Sequence, residues 1–463
     1  MKKQVLLFLL LLNLIAKANI TLPSVIGSNM VLQQQSSVKF WGWGDPTEKV
    51  FITPSWTNHI DSAIVASDGK WLLSLTTPVA GGPYSIIIKG RNTISLTNVL
   101  IGEVWVCSGQ SNMEMNYYWG LPDVKEELPH AANSNIRFFT IPRTTALHPQ
   151  ENCRGEWIEC DSNTLKSFSA VAYFFGKRLN SDLKVPIGLI NTSWGGTPAE
   201  AWMPAEAVNA ETELREAATK LPVSKGWPIT PGYTFNAMIA PITNYNVAGA
   251  IWYQGEGNTA IPHTYEKTFR LMISSWRKEW NRDLPFYYVQ IAPFTYGTKP
   301  VGALIREAQL KTTSLMNTGM AVITDLVDNV HDIHPKNKHG VGLRLANLAL
   351  ANTYHKNIRA KSPFYKSIEI SKDKVIVSFD ADDELTIRGK AITELSIAGP
   401  DKVFHTAEAK VNKTQLIVWS KDVKQPVAVR YAFSNSGIGN LFSKNGLPVS
   451  PFRTDDWNIE LTP

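Results

Sequence analysis

The stretch IGEVWVCSGQSNMEM, residues 101–115, decides the fold. Val104 to Ser108 is a short run of β-branched, aromatic and small residues, the pattern of a buried strand. It runs into Gly109, Gln110, Ser111, Asn112 and Met113. A strand that ends in a glycine turn and lifts a serine ahead of helix-compatible residues is one way to present a nucleophile. The turn exposes Oγ, and the amides opening the next helix face developing negative charge. A Gly-x-Ser-x-Gly elbow has this mechanics, but the second glycine is missing here, since Met113 stands in its place. The competing reading is a Ser-Asn turn that only closes a strand. Residues far downstream decide between the two.

Outward from this stretch, residues 99 to about 355 alternate strand-like and helical patterns. Val185 to Asn191 reads as a strand ending in Thr192-Ser193-Trp194-Gly195-Gly196-Thr197. Ala248 to Tyr253 reads as another, ending in Gln254-Gly255-Glu256-Gly257-Asn258. Phe286 to Ile291 and Ala321 to Thr324 supply two more. Phe168 to Leu179, Pro204 to Lys220, Tyr265 to Trp280 and Leu304 to Leu315 carry helical apolar spacing. Such alternation predicts a parallel sheet with helices on both faces. In these sheets sites form beyond the carboxyl ends of the strands. The loops at Ser111, Gly195-Gly196 and Gln254 to Asn258 all sit there.

The flanks read differently. Val38 to Trp43, Lys49 to Ile52, Trp71 to Leu75 and Tyr84 to Ile88 are β-like runs between Gly, Pro, Asp and Ser turns, and they predict a small antiparallel sandwich. Beyond about residue 362, Ser367 to Ile370, Lys374 to Phe379, Leu385 to Ile387, Gln415 to Trp419 and Val427 to Phe433 read as strands again. At the start, Lys2 and Lys3, the apolar run Val5 to Ile15 and Ala16-Lys17-Ala18 have the layout of a signal peptide. The run is too short to span a bilayer, and no other apolar segment approaches about 20 residues. An exported protein without a membrane anchor is expected, periplasmic or extracellular. The expected organisation is a signal peptide at 1–18, an N-terminal β-sandwich at 19–98, a catalytic domain at 99–360 and a C-terminal β-rich domain at 361–463.

A chain of 463 residues with 44% hydrophobic and 19% charged residues has ample core, and its net charge of +6 without long basic runs singles out no partner beyond a mild leaning to acidic ligands; no nucleic-acid partner is expected. Of the three cysteines, Cys107 reads as a buried small hydrophobe. Cys153 and Cys160, close in sequence and in an oxidising compartment, are expected to pair.

Late in the α/β region stands Asp332-Ile333-His334-Pro335, followed by a helix from about Lys338 through Leu350. A histidine on a loop, with a carboxylate two residues earlier, suits a general base to a serine. Alone, His-Pro more often only starts a helix. The order of serine, glycine loop, Gly/Asn loop and late Asp-His is far more specific.

In that order GQSNM (109–113), NTSWGGTPAEAW (191–202), IWYQGEGN (251–258) and DIHPKNK (332–338) resemble the blocks of the SGNH-hydrolase superfamily, and within it the sialate O-acetylesterase family. The resemblance extends to the N-terminal sandwich and to NLFSKNGLPVSPFRTDDW (440–457). It implies an SGNH, flavodoxin-like three-layer α/β/α hydrolase domain flanked by β-sandwich-like modules. It further implies Ser111 as nucleophile and His334 as general base. An oxyanion hole would come from the Ser111 amide, the Gly195-Gly196 loop and a third-block side chain, either Gln254 or Asn258. Gln110, Trp194 and Glu256 are expected at the substrate, with no metal and no cofactor.

Three departures stand out. The superfamily's carboxylate three residues before the histidine is His331 here, leaving Asp332, its competitor Asp328 or no acid to complete a triad. Gly257 replaces a serine commoner in the family, and residues 203–248 are too short for the extra β domain of longer members. The implied activity is removal of O-acetyl groups from a sugar or glycan, sialic acid first and plant-wall xylan second. A non-catalytic carbohydrate-binding protein would account for export, the sandwiches and 15 tryptophans, but not for the order of the four blocks. A peptidase or lipase finds no apolar lid in the sequence.

Overall fold

The computed structural model describes residues 19–462, so the expected signal peptide lies outside the described residues. Seven strands follow one another across the central sheet. Their order is Thr318–Ala321, Phe286–Val289, Gly249–Tyr253, Thr93–Gly109, Ile187–Ser193, Asn133–Thr140 and Trp157–Cys160. All pair in parallel except the last, which is antiparallel to its neighbour. The two strands at that edge, Asn133–Thr140 and Trp157–Cys160, are not evident in the sequence pattern.

The strand Thr93–Gly109 is the axis of the molecule. Its first half pairs antiparallel with Gly81–Lys89 in the N-terminal β region, and its second half lies between Ile187–Ser193 and Gly249–Tyr253. The expected boundary between residues 98 and 99 falls inside this one strand. Its side chains alternate between two cores, as period-two geometry requires. Val104 and Val106 join the apolar cluster that holds Phe269 and Trp276 of helix Tyr265–Glu279 and Ile305 of helix Val301–Thr312. Trp105 and Cys107 join the other, with Phe175 of helix Ala170–Leu183 and Leu345 of helix Lys338–Asn352. A parallel strand buried on both faces reads as a continuous apolar run, and that is why Val104 to Cys107 could be recognised.

The two helices on the second face are capped by side chains. Ser169 accepts from the Ala172 amide and Asn337 from the Gly340 amide. They approach closely at Gly342, where a Cβ would stand 2.7 Å from Phe174 Cβ. Pro204 to Lys220 was expected as one helix but forms two, Ala205–Ala210 and Thr212–Ala218. Glu211 between them is extended (φ −100°, ψ 105°), and the break lets both Val208 and Leu214 reach the core.

Cys153 and Cys160 are both free thiols, which corrects the expected disulfide. Cys153 packs in the first cluster and Cys160 in the second, so they point into opposite sides of the sheet. Burial pushes each thiol up to about 12.

The C-terminal β region has two four-stranded antiparallel sheets around its own core. Arg306, fully buried, ties it to the central region by donating to the carbonyls of Ser434 and Asn435. Among the described residues no helix is long and apolar enough to cross a membrane.

Candidate active site

The register of the central strands aligns three loop origins. Gly109 lies opposite Ser193 on one side and Tyr253 on the other, so the loops after these strands leave the sheet at one level. Gly109 itself must be glycine: its φ is +138°, and a Cβ would stand 2.2 Å from the Tyr253 carbonyl oxygen. Gln110 stitches the first loop to the third, because its Oε1 accepts the Gly257 amide at 3.0 Å.

Ser111 opens a one-turn helix, Ser111–Glu114, and is 9% exposed. His334 arrives from a loop 223 residues later and sets Nε2 2.9 Å from Ser111 Oγ. The edge of Trp119 stands against the imidazole, centroids 5.3 Å apart. Burial, then the Lys338 charge, holds His334 below the usual imidazole value, against an opposing contribution from Asp332. The ring is therefore neutral, with a lone pair available, at neutral pH.

Asp332 is near but not hydrogen-bonded to the ring. Its Oδ1 lies 3.8 Å from His334 Nδ1 and accepts the His334 backbone amide at 2.9 Å, while Lys336 approaches Oδ2 at 3.8 Å. This carboxylate shapes the turn that carries the histidine. Asp328 is exposed and lines a different cleft with Asp123 and Lys336.

Ser111 and His334 face a cavity of about 570 Å³, which Gln110, Gly195, Gly196, Glu256 and Gly257 also line. Gln254 and Asn258 do not belong there, and this corrects their expected part in an oxyanion hole. Both are fully buried. Gln254 Nε2 donates to Thr197 O and Asn258 Oδ1, and its Oε1 accepts from Tyr265. Asn258 accepts the Ala199 amide and donates to Glu200. Their polar groups are spent bracing the second loop against the third.

Trp194 is likewise not on the cavity. It packs against the first core and donates to the Gly226 carbonyl, holding down the loop that follows. The aromatic faces at the cavity belong to Trp119 and Trp227, 38% and 41% exposed. Gly196, with φ +83°, leaves room for Trp227: a Cβ there would meet its ring at 2.3 Å. Arg143 and Glu114 also line the cavity as an ion pair, and Glu114 Oε2 accepts the Gly195 amide at 2.9 Å. Neither Arg143 nor Trp227 lies in a sequence block. Glu114 is one residue past GQSNM, and the acid following that motif was the one available signal.

A hydroxyl and an imidazole in contact, at the carboxyl edge of a parallel sheet and open to a polar cavity with aromatic walls, define the class as a carboxylic ester hydrolase. Known proteins narrow it. Residues 101–351 match the model of the family described as carbohydrate esterase, sialic acid-specific acetylesterase, and the chain belongs to that family. It is similar to the sialate O-acetylesterase of Homo sapiens, 29% identical over 456 residues that cover 89% of this chain and 87% of that protein. The rat enzyme of the same name is 29% identical over 434 residues, 79% of this chain and 80% of the relative. The crystal structure of a carbohydrate acetylesterase from Xanthomonas citri superposes with a TM-score of 0.87 at 35% identity, covering 95% of this chain and all of that one.

Proposed function

We propose that this chain is an exported serine esterase that removes O-acetyl groups from sugars, with O-acetylated sialic acid the first substrate. The observation that carries the reading is the 2.9 Å contact between Ser111 Oγ and His334 Nε2. His334 takes the hydroxyl proton as Oγ attacks the acetyl carbonyl, then passes it to the leaving sugar oxygen. Water, activated by the same imidazole, releases acetate from the acyl-enzyme. The amides of Ser111 and Gly196 bind the oxyanion, since the Gly195 amide is already engaged by Glu114. Asp332 steadies the histidine loop.

The organisation we propose is an SGNH, flavodoxin-like three-layer α/β/α hydrolase domain over residues 99–360. The β modules over 19–98 and 361–463 flank it, and residues 1–18 are removed on export to the periplasm or the exterior. Support for the layers comes from the two apolar cores on opposite faces of the central sheet.

The names of the mammalian relatives favour a sialate substrate, and Arg143 at the cavity suits a carboxylate-bearing sugar. The second reading, an acetylated neutral glycan such as xylan, is favoured by the exposed faces of Trp119 and Trp227, which suit a pyranose ring. Acetate release from O-acetylated sialic acid and from acetylated xylo-oligosaccharides, under identical conditions, separates the two. A kcat/KM at least roughly tenfold higher on the xylan side reverses the ranking. Ser111→Ala and His334→Ala should each abolish release while the protein stays folded, and turnover by either removes the proposed pair.

A further inference from the structure

Beneath Ser111 and His334 lies a buried set of polar groups that the reaction above does not use. Lys338, the first residue of helix Lys338–Asn352, is fully buried. Its Nζ donates to Asn112 Oδ1 at 2.6 Å and stands 5.3 Å from the centre of the Tyr253 ring. Asn112, the residue after the nucleophile, is also fully buried. Its Nδ2 donates to Glu256 Oε1 at 2.8 Å and to the carbonyl of Ile333 at 3.1 Å. One amide side chain thus joins the nucleophile turn, the third loop and the residue before His334.

Such an arrangement is poor economy for stability alone. Apolar residues of similar volume usually serve a core as well as, or better than, a buried charge pair. Glu256 Oε2 adds to the cost, being buried with no hydrogen-bond partner among the described residues. What the arrangement supplies is geometry, because it fixes both carriers of the reacting atoms to one point.

We propose that Lys338 is a positioning residue: through Asn112 it locks the Ser111 turn to the Ile333–His334 loop and so sets the Oγ to Nε2 contact. The proposal rests on Ser111 and His334 being the reacting pair. It gives Lys338 a second consequence through its charge. The groups that act on His334 are Asp332 and Lys336 on its own loop and Lys338 on the helix; Asp332 favours the imidazolium, and the two lysines disfavour it. Lys338 itself faces Glu256, Asp123, Lys336 and Asp332; burial brings it down to about 7, and the Glu256 charge acts in the opposite direction. Removing the Lys338 charge therefore lets the His334 value rise. The acid limb of the activity profile then moves to higher pH.

Three variants of the full chain, assayed on 4-nitrophenyl acetate, separate position from charge. Lys338→Met loses both, so kcat should fall on the order of 10- to 100-fold with KM nearly unchanged, and the acid limb should move up. Lys338→Gln keeps a donor for Asn112, so it should recover much of kcat while the limb stays displaced. Asn112→Ala keeps the charge and loses the tie, so kcat should fall without an upward shift of the limb. Wild-type kcat in folded Lys338→Met or in Asn112→Ala overturns the proposal, and so does a Lys338→Gln variant as slow as Lys338→Met. If Lys338→Met does not fold, the other two variants decide. Ser111→Ala run alongside keeps the failures apart: activity in that variant removes the underlying pair, whereas an inactive Ser111→Ala beside an unaffected Lys338 series removes this proposal alone.

Discussion

Replacing Asp332 by asparagine separates a Ser-His pair from a full triad. Where a carboxylate is hydrogen-bonded to the distal imidazole nitrogen, its conversion to the amide costs about 10⁴-fold in kcat. Here the Oδ1 to Nδ1 separation is 3.8 Å, and the Asp332 side chain is 38% exposed and shared with Lys336. Two unit charges at that distance interact by about 1 kcal/mol in water and about 4 kcal/mol at an effective dielectric constant near 20. Exposure and the competing lysine place Asp332 at the lower end. About 1 kcal/mol on the imidazolium of the transition state is about fivefold in kcat/KM. Asparagine still offers Oδ1 to the His334 amide, so the loop keeps its shape. Asp332→Asn should thus retain roughly a tenth to a third of wild-type kcat/KM on an aryl acetate. Because Asp332 favours the protonated ring, its loss should move the acid limb of the pH profile downward. A fall of 1,000-fold or more, with the fold intact, would refute the reasoning and mean that Asp332 closes onto Nδ1 during turnover.

Further outcomes follow from the same geometry. His334 is held below its ordinary value by burial and Lys338, so the ring loses its proton at a lower pH than a free imidazole. Wild-type kcat/KM should therefore reach half its plateau below about pH 6.5, and a half-point above that would contradict the assigned environment. Cys153 and Cys160 lie in separate cores, so alkylation of the denatured, unreduced protein should label both thiols; a peptide pair linked by a disulfide would contradict their placement. Gly196→Ala drives a methyl group into the Trp227 ring at a position with φ +83°. It should raise KM for a sugar acetate more than for 4-nitrophenyl acetate, and equal effects on the two would separate Trp227 from sugar binding.

Several features of this chain were legible before any coordinates. Val104 to Cys107 is buried on both faces, so its apolar run announced a buried strand. Gly109 is demanded by a local backbone conformation, which a sequence records directly. Ser111 and His334 follow recognisable elements, and the third loop, with Glu256, was expected beside them; all three line one cavity. Other features had no local signature. The strands Asn133–Thr140 and Trp157–Cys160 lie at the sheet's margin, where alternation is weak. Arg143 and Trp227 come to the cavity from irregular segments without periodicity.

The sequence by itself determined the alternation of strands and helices and the order of the four blocks, because both rest on backbone propensity and the period of apolar residues. Tertiary structure alone decided which polar side chains face the cavity. In the turn from Gln254 to Asn258 no period assigns direction: Glu256 and Gly257 reach the cavity, while Gln254 and Asn258 turn inward to brace Thr197, Ala199 and Glu200. It decided the thiols as well, since two cysteines seven positions apart can still stand on opposite sides of a sheet. And it decided Lys338, which reads as the charged first residue of a helix. Only the packing of that helix against the second core carries its ammonium to Asn112 beneath Ser111 and His334.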